Sequence, residues 1–186
     1  MQHPFLTSLS HALAAHHVAT LRYQFPYMEQ KRRAPDPPAV LMDTVDAAVA
    51  AAAQAAPQLP LFAGGKSMGG RMTSQAAARN PLPGVQGLVF FGFPLHPPGA
   101  PSIRRADHLA NVTVPMLFLQ GTRDTFADLK LLRPVLSKLG SLATLHLLDT
   151  ADHSFHVLKS SKRTDADALE ELAATTASWI SGIAHK

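Results

Sequence analysis

Residues 59–79 read LPLFAGGKSMGGRMTSQAAAR, and this stretch decides the fold. A short apolar run, Leu61-Phe62-Ala63, leads into Gly65-Lys66-Ser67-Met68-Gly69, and a helix-compatible segment follows from Arg71 to Arg79. That is a G-x-S-x-G nucleophile elbow set between a strand and a helix, the context the motif requires. The turn must lift the serine hydroxyl clear of the sheet. The elements on either side then pass so closely that Gly65 and Gly69 are expected where a Cβ would not fit. Ser67 also falls at a helix N-terminus, where free N–H groups favour a developing negative charge.

Two other readings of the same residues compete. Gly65-Lys66-Ser67 could end a phosphate-binding loop, but G-x-x-x-x-G-K-[ST] needs glycine at position 60, which is Pro60. The second is an ordinary glycine-rich turn with an inert serine. Residues further along the chain separate it from a working nucleophile.

Working outward, strands alternate with helices. Helices are predicted over 4–16, 39–56, 71–79, 126–139 and 165–183. Strands are predicted at Val18–Phe25, at the apolar run before the elbow, and over 86–93, 115–120 and 142–148. The run QGLVFFGF at 86–93 is apolar throughout, as a strand buried on both faces must be. The pattern implies an α/β fold with a mostly parallel sheet of about five strands, helices on both faces and a single domain. Pro94 to Asn111 is too short for a multi-helix lid, so an open site is expected.

A serine needs a base, and the base needs orienting. In an open parallel sheet such groups gather at the carboxyl ends of strands. Asp124 follows the predicted strand 115–120 in Gly121-Thr122-Arg123-Asp124, and His153 follows the last strand in Asp149-Thr150-Ala151-Asp152-His153. The order Ser67, Asp124, His153 is the one α/β-hydrolases use. Asp124 could instead cap the next helix, and His153 could be a plain loop residue. Asp128 is the weaker acid because it falls inside the predicted helix. His146 lies within a strand and reads as structural, and His156 lies past the loop. His96, His108 and the pair His16-His17 lack carboxylate-supported metal spacing and read as structural or solvated.

Composition narrows the classes. The chain has 186 residues, 46% apolar, enough for a sizeable core. It has no cysteine, which removes disulfides, thiolate zinc sites and a cysteine nucleophile. Net charge is +4, but the basic clusters at 31–33, 104–105 and 162–163 lack interleaved aromatics, so no nucleic-acid partner is expected. The N-terminus does not read as a signal peptide, and the alanine-rich tract 47–56 is too short to span a bilayer, so no membrane partner and a cytoplasmic location are expected.

The blocks GGKSMGG with Arg71 and Met72, FFGFPLHPPG, RADHL, LFLQGTRDTF and ADHSF resemble the α/β-hydrolase branch named after NSL-complex subunit 3 and testis-expressed protein 30, which is related to dienelactone hydrolases. The resemblance spans nearly the whole chain. It implies Ser67 as nucleophile, His153 as base, Asp124 as orienting acid and the Met68 N–H as oxyanion donor, with no metal and no organic cofactor. With no room for a large lid, a small to medium acyl substrate with water is expected, and a homodimer is left open. One branch member is a chromatin-complex subunit, so a non-catalytic scaffold that keeps the fold is the alternative.

This sequence departs from the branch at its start. Relatives place a strand and an H-G-A-G-like loop, bearing the second oxyanion donor, before the segment that resembles Met1-Gln2-His3-Pro4-Phe5. That strand lies between those matching Val18–Phe25 and the pre-elbow run. Relative to the branch the domain thus reads as N-terminally truncated. The expectation is either a longer gene product or a Val18–Phe25 strand that shifts or finds another neighbour.

Overall fold

The computed structural model describes residues 3–184. Four strands, β1 (Leu61–Lys66), β2 (Val85–Phe91), β3 (Met116–Gly121) and β4 (Ala143–Leu148), form one parallel sheet in the order β1-β2-β3-β4. The inner strands alternate between two cores, as the two-residue period of a strand demands. Leu88, Phe90, Met116 and Phe118 face one side, packed by α3 (Pro38–Ala55), α4 (Met68–Arg79) and α5 (Leu129–Lys138). Val89, Phe91, Leu117 and Leu119 face the other, packed by α1 (Pro4–Ala15) and α6 (Asp165–Ala184). Between α1 and α3 lies one short helix, α2 (Pro26–Glu29). Both faces are covered, as the continuous apolar runs of β2 and β3 require.

The expected fifth strand is absent. Val18–Phe25 forms no strand; it ends in Phe25, which is buried in the core beside Tyr23. The reason is the want of a partner. β1 is the sheet edge, and beyond it lies a mostly apolar cavity of about 610 Å³. Leu61 to Gly65 and Val18 to Arg22 both line it. An extended segment becomes a strand only through ladder hydrogen bonds, and none cross this gap.

Several boundaries also move. α4 begins at Met68, directly after Ser67, rather than at Arg71. α5 begins at Leu129, so Asp128 is its N-cap, accepting from Lys130 N at 2.8 Å, and does not sit inside the helix as expected. Pro94 to Asn111 contains a 3-10 helix at Arg104–Asn111 and returns Leu95, Ala106 and Leu109 to the core. It does not build a lid.

Candidate active site

Ser67 stands between the last residue of β1 and the first of α4, with φ 51° and ψ −120°. A non-glycine residue at positive φ is strained, by about 1–3 kcal/mol, and holds only where its surroundings fix it. Here the amide of Ser67 donates to Phe91 O at 3.1 Å and its carbonyl accepts from Arg71 N at 3.1 Å, so sheet and helix both grip the turn. A Cβ on Gly65 would come within 3.0 Å of the Gly69–Gly70 peptide, and one on Gly70 within 2.7 Å of Gly65 O. At Gly69 a Cβ would meet nothing within 4 Å. The close approach expected at Gly65 and Gly69 is therefore made by Gly65 and Gly70.

Asp124 lies three residues past β3, with its carboxylate fully buried. Oδ1 accepts from Phe126 N at 2.7 Å, and Oδ2 accepts from the side-chain amide of Gln120 and from His153 Nδ1, the latter at 2.7 Å. Asp124 thus closes a turn onto Phe126 with one oxygen and meets the imidazole with the other, and it does not cap α5, whose N-cap is Asp128. With Nδ1 donating to a carboxylate, which can only accept, Nε2 is left free to accept. Nε2 lies 2.8 Å from Ser67 Oγ. The Phe126 ring stacks on the imidazole at 4.2 Å and limits its rotation.

The loop after β4 carries His153 and is tied at several points. Asp152 Oδ1 accepts from Ser154 N and His156 N, and Arg123 N donates to Ala151 O at 2.9 Å. Thr150 and Phe155 both sit at positive φ. Lys66 Nζ donates to His153 O at 2.7 Å. Neither Gln120, Phe126 nor Lys66 was singled out for this work by its sequence position. Only Lys66 carried a signal, as the middle residue of Gly65-Lys66-Ser67.

His16, His96, His108, His146, His156 and Asp128 make their bonds outside this group. His96 Nε2 accepts from Asp128 N at 3.0 Å and its Nδ1 donates to Pro97 O, so it pins a loop. His146 bonds Glu171, His156 bonds Asp165 and His16 bonds Glu170. His108 bonds Ser74 at 2.7 Å. Among the described residues no cluster of three or more histidines and acids could hold a metal, and no helix is long and apolar enough to cross a membrane.

A parallel sheet with a positive-φ serine set between strand and helix is the arrangement of an α/β-hydrolase fold. The chain belongs to the alpha/beta hydrolase domain family, whose model matches residues 1–181. Among solved structures it is similar to an α/β serine hydrolase without a lid from Xanthomonas campestris, with TM-score 0.72 and 22% identity over 96% of this chain and 75% of that one. It is also similar to an α-beta serine hydrolase homologue from Coxiella burnetii, at TM-score 0.70 and 18% identity over 94% and 75%. An esterase domain from Rhodothermus marinus matches at TM-score 0.67 and 16% identity over 94% and 79%. At these identities the likeness is one of fold.

Proposed function

We propose that the protein is a serine hydrolase of the carboxylic-ester type, acting on an ester, thioester or lactone of small to medium acyl size. One observation carries the reading: His153 bridges Ser67 and Asp124 through bonds of 2.8 and 2.7 Å, each residue arriving from a different strand end. In this mechanism Nε2 of His153 takes the proton of Ser67 Oγ as that oxygen attacks the acyl carbon. Asp124 keeps the imidazole in its Nδ1–H tautomer and faces the imidazolium that forms. The Met68 N–H, first in α4, stabilises the oxyanion. Collapse of the tetrahedral adduct expels the alcohol or thiol, which leaves with the proton from Nε2. Water then enters, gives its proton to Nε2, and releases the carboxylic acid with Ser67 restored.

The finer kinship belongs with this reading: the NSL-complex subunit 3 and testis-expressed protein 30 branch, a single domain, and catalysis by the protein's own side chains and backbone. A fluorophosphonate probe tests it. Labelling of the wild type, blocked by Ser67→Ala, together with turnover of a p-nitrophenyl ester or thioester, is the expected result. A folded protein that takes no label and cleaves none of the panel refutes it and favours the scaffold alternative.

A further inference from the structure

Lys66 is the one member of the Gly65-Lys66-Ser67 motif that the proposed chemistry leaves unused. It precedes the serine, yet its side chain runs to the histidine loop. Nζ donates to the main-chain carbonyl of His153 at 2.7 Å and lies 4.7 Å from the centre of the Phe5 ring and 5.1 Å from that of Phe155. Those two rings stack on each other at 5.5 Å, so the ammonium rests against an aromatic pair built from α1 and the loop.

The loop needs such an anchor. Phe155 is held at φ 66° and Thr150 at φ 59°, conformations a bulky or β-branched residue keeps only under constraint. On the β3 side the loop is fixed by Arg123 N to Ala151 O at 2.9 Å. On the β1 side its ties are the His153–Ser67 bond and the Lys66–His153 carbonyl bond. The first is the bond that proton transfer must break and remake. The second is left to hold the His153 backbone while that happens.

We propose that Lys66 is a positioning residue that clamps the backbone of His153 to the nucleophile elbow, keeping the imidazole in line with Ser67 through the proton transfers. The role rests on the hydrolase reading for its catalytic consequence, and on geometry alone for the clamp. The surroundings suit a held cation. Asp124 and Asp152 are the acids facing it, with His153 and His156 from the same loop, while α1 offers the Phe5 ring. Burial lowers the ammonium to about 8, against the pull of Asp124 and then Asp152. At neutral pH it is still charged, and a charge-assisted bond to a carbonyl is stronger than a neutral one.

Hydrogen exchange followed by mass spectrometry, alongside kcat and KM on a p-nitrophenyl ester, tests the clamp on the full chain. Lys66→Met keeps the stem and removes charge and donors. It is expected to raise exchange at least about tenfold over residues 149–157, with β2 and β3 unchanged. It should lower kcat about 10–100-fold with KM within about twofold, the cost of a misplaced base. Lys66→Arg restores charge and donors, and should bring both readouts back to within about threefold of wild type. If Lys66→Met does not fold, Lys66→Leu, which also lacks charge and donors, carries the same test. Exchange over 149–157 that stays at the wild-type rate in a folded variant overturns the clamp, and so does an unchanged kcat in an active enzyme. A wild type that neither turns over nor takes the fluorophosphonate overturns the hydrolase reading instead, and exchange still decides the clamp.

Discussion

Two serine–histidine pairs of nearly the same length and opposite character lie at helix α4, one at its N-cap and one within it. Ser67 Oγ lies 2.8 Å from His153 Nε2, and Ser74 Oγ lies 2.7 Å from His108 Nε2. The serines are two helical turns apart, yet distance to an imidazole is all they share. Ser67 sits at a strained turn outside the helix, while Ser74 is fully buried mid-helix and gives its single proton to Arg71 O at 2.9 Å. Behind His153 is a buried carboxylate that fixes the tautomer. Beside His108 is the Arg71 guanidinium, which with burial lowers the imidazole to about 4, despite the opposing pull of Asp107. Burial acts first and Arg71 second. A base held that low stays unprotonated at neutral pH and gains little from taking a proton. The Ser67 contact combines a strained turn with a carboxylate behind the imidazole, and the Ser74 contact has neither.

The sharpest way to break this contrast is to remove each hydroxyl in turn. Ser67→Ala is expected to cut kcat about 10⁴–10⁶-fold, the range seen when a member of a cooperating triad is lost. Ser74→Ala should leave kcat within about threefold and leave fluorophosphonate labelling intact, since a buried serine without a free proton meets no acyl group. Equal losses from the two would dissolve the distinction. Next in size, Asp124→Asn keeps the shape but reverses the donor logic at Nδ1, and should cost about 10⁴ in kcat with little change in KM. Stopped-flow and steady-state assays read that split directly.

Ser74→Ala should instead register as stability. It strips the partner from His108 Nε2 in a half-buried pocket against the Arg104–Asn111 turn, and the loss of such a bond costs about 1–3 kcal/mol. Chemical denaturation gives the value. A midpoint equal to that of wild type would mean that the second pair holds nothing together.

The two pairs also differ in how far the sequence disclosed them. Ser67, Asp124 and His153 were legible because each follows an apolar run by a few residues, and parallel sheets place such residues at one edge. β2 and β3 were legible for a related reason, since burial on both faces leaves nearly unbroken apolar runs. The bond from Lys66 to the His153 carbonyl and the bond from Ser74 to His108 join positions far apart in the chain, and neither side chain's periodicity points to its partner. Val18–Phe25 shows the converse failure. Its pattern is compatible with extension, but strand formation is a property of two segments, and across the cavity beside β1 no second one lies within ladder distance. Gly69 misled in a smaller way: the motif names it, while the contact that forbids a Cβ falls one residue later, at Gly70.

The smallest effect separates the pairs by pH. His108 is lowered from its ordinary 6.5 to about 4 in the folded chain. Between these values the unfolded chain binds a proton at this site and the folded chain does not. Its contribution to stability is therefore whole above pH 6.5, declines as pH falls through that window, and is gone below about 4. Because the imidazole is only half-buried, solvent screening reduces the expected loss to about 1 kcal/mol. His156, raised by its bond to Asp165, works with the opposite sign, losing its contribution as pH rises, so the single curve mixes the two. Comparing wild type with His108→Gln removes that mixture, since glutamine can still donate to Ser74 Oγ but does not titrate. Between pH 7 and pH 4 the wild type should lose about 1 kcal/mol more than the variant in urea unfolding. Parallel curves would show that His108 takes its proton as freely inside the protein as outside.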